Sequence, residues 1–404
     1  GGIVFHNDID REEGRTILED EGIFLNYINH AHLSYGGGEL LVNNQQKSFS
    51  PVELVQARPA ISFSTIDFAA NAAIAADPNS FEETLFRDNT YEGGYRRIGP
   101  DIYHNTIVNN TINALFLRIE TLAGEVLDKL TVQGRFDDDI VHVITEAFVI
   151  QGTPGGVFAE EDANNPGTLL YTARTDGRLA IDPGTIVKLK DARIEVAVGA
   201  QLLAEGTGQN PIVFTSLVDD RFGASGTFDT STQDVDVEPA PGDWGGIYFH
   251  YVSMGSLDHV LLTFAGGDTP IEGRFADFNP IEIHRANVRI ANSTFEENED
   301  GVDVGNDNRN GRGVNTPAVI FVRGAQPVIV GNLFQNNIAN NQLPDPENRA
   351  PAISIDVNSL SSTRLADPGR STGFIDDFRD YPANMGALVR GNRIGNTDIN
   401  GMLV

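Results

Sequence analysis

Apolar side chains recur at alternate positions in short β-branched runs. Ile186-Val187-Lys188-Leu189, Arg193-Ile194-Glu195-Val196, Gln201-Leu202-Leu203-Ala204 and Pro211-Ile212-Val213-Phe214 all follow this pattern. A period of two predicts strands that turn one face to a core. The runs are separated by Asp182-Pro183-Gly184-Thr185, Val198-Gly199-Ala200 and Gly206-Thr207-Gly208-Gln209-Asn210-Pro211, where Pro, Gly and Asn supply turn chemistry. No apolar stripe of helical period extends beyond two turns, so the chain is predicted to be all-β.

The chain also repeats itself, which changes how its length is read. Gly1-Gly2-Ile3-Val4-Phe5-His6 returns as Gly245-Gly246-Ile247-Tyr248-Phe249-His250. Ile28 to Gly37 matches Leu257 to Gly266 at an offset of 229. The same offset aligns Pro51-Val52-Glu53-Leu54 with Pro280-Ile281-Glu282-Ile283, and Ile61–Thr65 with Ile290–Thr294. Farther on, Asn105–Asn109 and Ile112–Leu115 match Asn392–Asn396 and Ile399–Met402 at an offset of 287. The order is constant while the spacing drifts, and the drift is assigned to loop insertions such as Asn7–Tyr27, Asn306–Pro317 and Leu343–Ala350. Both termini fall inside the repeated unit, so the chain reads as a slice of a longer tandem array.

Asparagines carry a second regularity. Ile290-Ala291-Asn292-Ser293-Thr294-Phe295-Glu296-Glu297-Asn298 has near-copies around Asn332, Asn392 and Asn105, at spacings that are multiples of about 20 residues. Asn tolerates the left-handed region and can pass amide hydrogen bonds between stacked chains.

These strands and turns resemble a right-handed parallel β-helix (solenoid). More narrowly, residues 177–189, 201–207, Val213-Phe214-Thr215-Ser216 and Gly242-Asp243-Trp244-Gly245-Gly246-Ile247 resemble modules of very large secreted bacterial surface proteins. The resemblance implies fold and location and no single enzymatic activity. It divides the chain into the C-terminal part of a first module (1–119), a small non-solenoid β insertion between module copies (120–172), and a second module truncated at its C-terminal end (173–404). On the order of 15 coils at about 4.8 Å each would make a rod roughly 70 Å long.

Charge then narrows the partners. The chain has 28 Lys and Arg against 57 Asp and Glu, a formal net charge of −29, and no cysteine. Such a surface repels nucleic acid. No apolar run approaches a membrane span. Without thiolates the metal to consider is Ca²⁺.

Two acidic loops are candidate Ca²⁺ sites. The first holds Asp219, Asp220, Asp229, Asp234 and Asp236; the second holds Asp303, Asn306, Asn308 and Asn310, with Gly311 following in Asx-x-Asx-x-Asx-Gly spacing. Neither closes with a Glu, and Pro317 stands where an EF-hand would need it. A solvated acidic loop is the plainer reading of each.

Catalytic constellations are sparse. No His precedes a Gly, and no Lys has Arg two positions before it, so the polygalacturonase pattern is missing. Leu257-Asp258-His259-Val260 resembles the Asp-His strand step of pectate lyases, but the repeat replaces it by Asn29-His30, which favours a framework role for the histidine. His6 and His250 read the same way. Tyr27, Tyr35, Tyr91, Tyr95, Tyr248, Tyr251 and Trp244 are candidates for a sugar-stacking platform or for core filling.

The expected function is a non-enzymatic extracellular structural or adhesive rod at a bacterial cell surface. Its expected partners are neighbouring modules, other copies end to end, and cell-surface glycans. A polysaccharide lyase, glycoside hydrolase or glycan-binding protein is the alternative.

Overall fold

The computed structural model describes residues 1–6, 26–42, 44–83, 100–122, 125–152, 157–161, 169–173, 177–223, 237–301, 309–338, 351–360, 369–370, 386–397 and 399–404. Among these there is no α-helix. Among the described residues the only helical elements are 3₁₀ turns, Pro78–Phe81 and Val357–Ser359.

Three long parallel sheets dominate. The first has eleven strands, beginning with Ile3–His6, Val52–Val55, Ala72–Ala76 and Ile112–Leu117 and ending with Leu333–Gln335 and Arg393–Gly395. The second has seven strands, from Gln133–Phe136 to Leu388–Arg390, and the third seven, from Phe148–Ile150 to Ile399–Leu403. From residue 133 onward the chain visits the second, first and third sheets in fixed rotation. Each strand pairs in parallel with its counterpart one circuit earlier, as in Ile186↔Val213, Ile194↔Ile247 and Leu202↔Gly255. Alternation explains the core. Val187, Leu189, Ile194, Val196, Leu202, Ala204, Ile212 and Phe214 all point inward and belong to one cluster that runs from Ile28 to Ile355.

The first copy of the repeat is arranged differently. Two three-stranded parallel sheets, Tyr27–Asn29 with Ala60–Ser62 and Asp101–Tyr103, and His32–Ser34 with Thr65–Asp67 and Thr106–Val108, occupy the two faces beside the long sheet. The repeat equates Ile3–His6 in the long sheet with Gly246–Phe249 in the third, and His32–Ser34 with Val260–Thr263 in the long sheet. The two copies therefore meet out of phase by one face. The step occurs where Leu115 pairs with His142 and Phe116 with Val143.

Two expectations change here. Within 120–172, Gln133–Phe136, His142–Ile144 and Phe148–Ile150 take regular places in the three long sheets. Among the described residues of this segment, the antiparallel hairpins Thr121–Leu122 with Glu125–Val126 and Val157–Glu161 with Leu169–Ala173 stand aside. The segment lacks Asn turns, yet it stays in the sheets and contains the strand His142–Ile144 across which the phase changes. The drift in repeat spacing also has a second cause. Four long-sheet strands run from Ile3–His6 to Ile112–Leu117, whereas five third-sheet strands run from Gly246–Phe249 to Ile399–Leu403, so the second copy has one more circuit. The ends still match in detail. Both terminal strands carry a bulge, with Ile112 and Leu115 against Ala72 and Ile74, and Ile399 and Met402 against Pro351 and Ile353. In both, an Asn side chain accepts from the backbone three residues earlier, Asn113 from Asn110 and Asn400 from Thr397.

The asparagines divide two tasks between neighbours. The left-handed corner is taken by Asn109, Asn292, Asn336 and Asn396 (φ 52–56°). The next residue carries the ladder: Asn110 donates to Ile66 O at 2.9 Å, Asn337 donates to Phe295 O at 3.0 Å, and Ser293 accepts from Val260 N at 3.1 Å. Asn332 and Asn392 continue it, donating to Ile290 O at 3.0 Å and Ile329 O at 2.9 Å.

Candidate functional site

The Asp-His step is the one sequence motif that the fold builds into a tight constellation. Asp258 ends the strand Met254–Asp258 and is wholly buried. His259 turns the corner at φ 49°, which folds its ring back so that Nδ1 lies 2.5 Å from Asp258 Oδ1. Asn292 donates to the same oxygen at 3.2 Å, Arg289 pairs with the other, and Arg370 stands 3.9 Å away. Burial pushes the Asp258 carboxyl upward, but the hydrogen bonds from His259 and Arg289 outweigh it and hold the group below its ordinary value. The carboxylate fixes the orientation of the His259 ring, whose side chain is partly exposed. In the first copy Asn29 instead donates to Ser62 Oγ at 3.0 Å, so the dyad exists only once.

A larger charged network lies on the outer face of the third sheet. Glu195 accepts from Arg193 at 2.5 Å and from Arg312 at 2.7 and 3.1 Å, with His250 at 3.5 Å. Glu282 accepts from Arg309 at 2.6 Å and from the Asn279 backbone at 3.0 Å, with His284 Nε2 at 2.9 Å. Both carboxylates are buried. For each, burial opposes the charge while the adjacent guanidiniums favour it, and the result is a lowered pKa. Arg312 reaches on to Glu272 at 3.0 and 3.1 Å, tying the hairpin Asp268–Ile271 with Arg274–Asp277 to the sheet. The Arg193 and Arg309 guanidiniums lie 4.7 and 4.6 Å from the Phe278 ring. Arg193, Arg309 and Arg312 link this face to the segments around Pro270, Glu272 and Gly313, whereas His284 pairs with Glu282 within one strand.

The candidate Ca²⁺ residues are placed as follows. Asp219 is buried, and its oxygens accept from Thr215 Oγ1 and from Arg221 N, Nε and Nη2 at 3.1, 3.0 and 3.2 Å. Asp220 is exposed. Asn310 is exposed at φ 47° and donates to Glu272 at 3.0 Å. Asp229, Asp234, Asp236, Asp303, Asn306 and Asn308 lie outside the described residues. Among the described residues no group of three or more His, Asp or Glu is arranged to hold a metal ion.

Of the aromatic candidates, Trp244 and Tyr248 are core and cover residues, whereas Tyr27, Tyr35 and Tyr251 are 66%, 78% and 54% exposed. Tyr91 and Tyr95 lie outside the described residues. Sequence reasoning missed Phe63 and Phe68, which hold left-handed corners at φ 49° and 53° and stack on His30 at 5.4 Å and Tyr35 at 5.3 Å. It also missed Glu282 and its counterpart Glu53. The repeated Pro-x-Glu was the available signal.

No helix among the described residues is long and apolar enough to cross a membrane. In comparisons with family models, curated proteins and solved structures, nothing matches this chain.

Proposed function

We propose that this chain is a right-handed parallel β-helix whose role is mechanical: a non-enzymatic, extracellular structural or adhesive rod assembled from tandem modules. The observation that carries this reading is the eleven-stranded parallel sheet over one core, which continues through both copies of the repeat. Repetition here builds length, and the ten inter-strand steps of the eleven-stranded sheet, fewer than the sequence spacing suggested, give about 48 Å at about 4.8 Å each. The charged clusters support it, because their polar atoms bind loops to sheets. Solution scattering checks the shape, with an elongated particle expected and a compact sphere fatal to the reading. The catalytic alternative rests on the Asp258–His259 dyad. It is tested by incubating the chain with pectate or alginate at several calcium concentrations. Flat ultraviolet absorbance is expected, and new absorbance lost in His259→Ala would move the chain to the lyases.

A further inference from the structure

Two Asn-Gly steps occur in the chain, Asn310-Gly311 and Asn400-Gly401. Asn400 lies inside the strand Ile399–Leu403, where its Oδ1 accepts from Thr397 N at 3.3 Å and from Thr397 Oγ1 at 2.9 Å. Asn310 and Gly311 instead form the exposed tip of a tight turn, closed by Arg312 N donating to Arg309 O at 3.1 Å. Both tip residues hold positive φ, 47° and 85°, as a type I′ turn requires. Nothing lies within 4 Å of where a Gly311 side chain would stand, so the tip has room to move. The flanks of the turn are fixed. Arg309 and Arg312 are buried, the first on Glu282 at 2.6 Å and the second on Glu195 at 2.7 and 3.1 Å. Tyr248 Oη donates to Arg312 O at 2.8 Å. Asn310 donates to Glu272 at 3.0 Å, beside the pair that Glu272 makes with Arg312. A reactive dipeptide thus sits between the two arginines that strap residues 309–313 to the third sheet.

We propose that Asn310-Gly311 is a site of spontaneous deamidation, and that its conversion releases this strap. Deprotonated by hydroxide, the Gly311 backbone nitrogen attacks Asn310 Cγ and forms a C–N bond. The Cγ–Nδ2 bond breaks, and Nδ2 departs as ammonia with a proton from water, which regenerates hydroxide. Water then opens the succinimide ring at either carbonyl and leaves Asp or isoaspartate, with no change of oxidation state. Gly311 permits the attack because it puts no Cβ beside the incoming carbonyl. Both products act on the strap. Asp replaces the donor that faces Glu272 with a second carboxylate, a like-charge contact. Isoaspartate carries the main chain through Cβ and so lengthens the path between Arg309 and Arg312, whose anchors on Glu282 and Glu195 are fixed by the sheet. This inference stands apart from whether the chain is a rod or an enzyme.

The test incubates the full chain in warm, mildly alkaline buffer beside a synthetic peptide of residues 309–316. Samples are read by peptide mass mapping, for ammonia lost and water gained, and by limited trypsin digestion. Asp and isoaspartate are expected at position 310 of the chain before any at 400. Cleavage after Arg312, which is buried while the strap is seated, should rise about tenfold in the converted chain, since local opening becomes easier. Asn310→Gly keeps the left-handed tip, has no amide to lose, and should retain the trypsin resistance of the fresh parent throughout. An unconverted position 310 in the chain while the peptide converts fully overturns the proposal, as does conversion that leaves trypsin cleavage unchanged. Loosening of Asn310→Gly at the pace of the parent would also overturn it, by placing the damage elsewhere.

Discussion

The two copies of the repeat share a backbone plan and differ in what they place on it. At one corner of the stack the first copy puts His30, Phe63 and His104, with ring contacts of 5.4 and 5.2 Å; the second puts His259, Asn292, Gly331 and Gly391 in the same left-handed conformation. One ladder is built of rings, and the other passes from one imidazole and one amide to bare backbone. On the outer faces, the second copy buries its acids under arginine-bearing loops, while the first leaves comparable acids less well paired. The corner geometry is thus set by the coil path, and the side chains serve as interchangeable ways of tolerating it.

The sharpest break between the copies should come from the paired glutamates. Glu53 and Glu282 occupy equivalent positions, and each accepts from the backbone three residues earlier, Ser50 at 2.6 Å and Asn279 at 3.0 Å. Glu282 also has Arg309 and His284, whereas Glu53 has the one-third exposed Arg118. Removing Glu282 by Glu282→Ala strands a buried guanidinium, at a cost of about 3–5 kcal/mol. Glu53→Ala should cost about 1–2 kcal/mol, because Arg118 can return to water. The signs with pH differ too. Burial raises the Glu53 pKa, so its charged form weighs against folding as pH rises. The Glu282 pKa is lowered despite burial, chiefly by Arg309, so its contribution is lost as pH falls. Urea melts of both variants check this, and equal losses would erase the distinction.

The next effect tests sameness. Asn110 and Asn298 are both fully buried, and each joins two circuits, Asn110 through Ala69 N and Ile66 O, Asn298 through Ala265 N and Leu262 O. Truncation to Ala leaves a buried backbone donor and acceptor unpaired, so each variant should lose about 2–3 kcal/mol. A large inequality between them would mean that the ladders are not equivalent.

A third effect belongs to the second copy. Glu299 is pushed up to about 7 by burial and by its neighbours Asp300 and Asp277. The folded state therefore holds a proton that the unfolded chain gives up near pH 4.5. Its stabilising contribution is complete below that pH and lost as pH rises through about 7. Partial solvent screening reduces the effect to about 1–2 kcal/mol. Melting temperatures between pH 5 and 8 should fall less steeply in Glu299→Gln, and parallel slopes would reject this assignment.

Much of this architecture was legible because the controlling variables are local. Period-two alternation exposed the strands, and paired motifs such as Pro51-Val52-Glu53 and Pro280-Ile281-Glu282 exposed the duplication. The extra circuit was not legible, since a change in spacing looks alike whether it comes from a loop or from a whole turn. Nor was the division of labour between Asn336 and Asn337, because both satisfy the same turn preference until hydrogen-bond partners are known. The charged clusters were hidden for a different reason. Glu195 and Arg312 are 117 residues apart, and nothing in either neighbourhood announces the other.

The smallest effect returns to the corners. Phe63 pays for a left-handed backbone at φ 49° with ring contacts to His30 and His104. Phe63→Ala removes the contacts and keeps the strained conformation, so it should destabilise the chain by about 1–2 kcal/mol. Phe63→Gly removes both and adopts the solution already present at Gly331 and Gly391, so its net change should stay within about 0.5 kcal/mol. The comparison depends on glycine outperforming alanine, the reverse of their order in an ordinary strand. Equal or inverted losses in chemical denaturation would show that the rings carry the first copy's corner on packing alone, and that the two ladders do not solve the same problem.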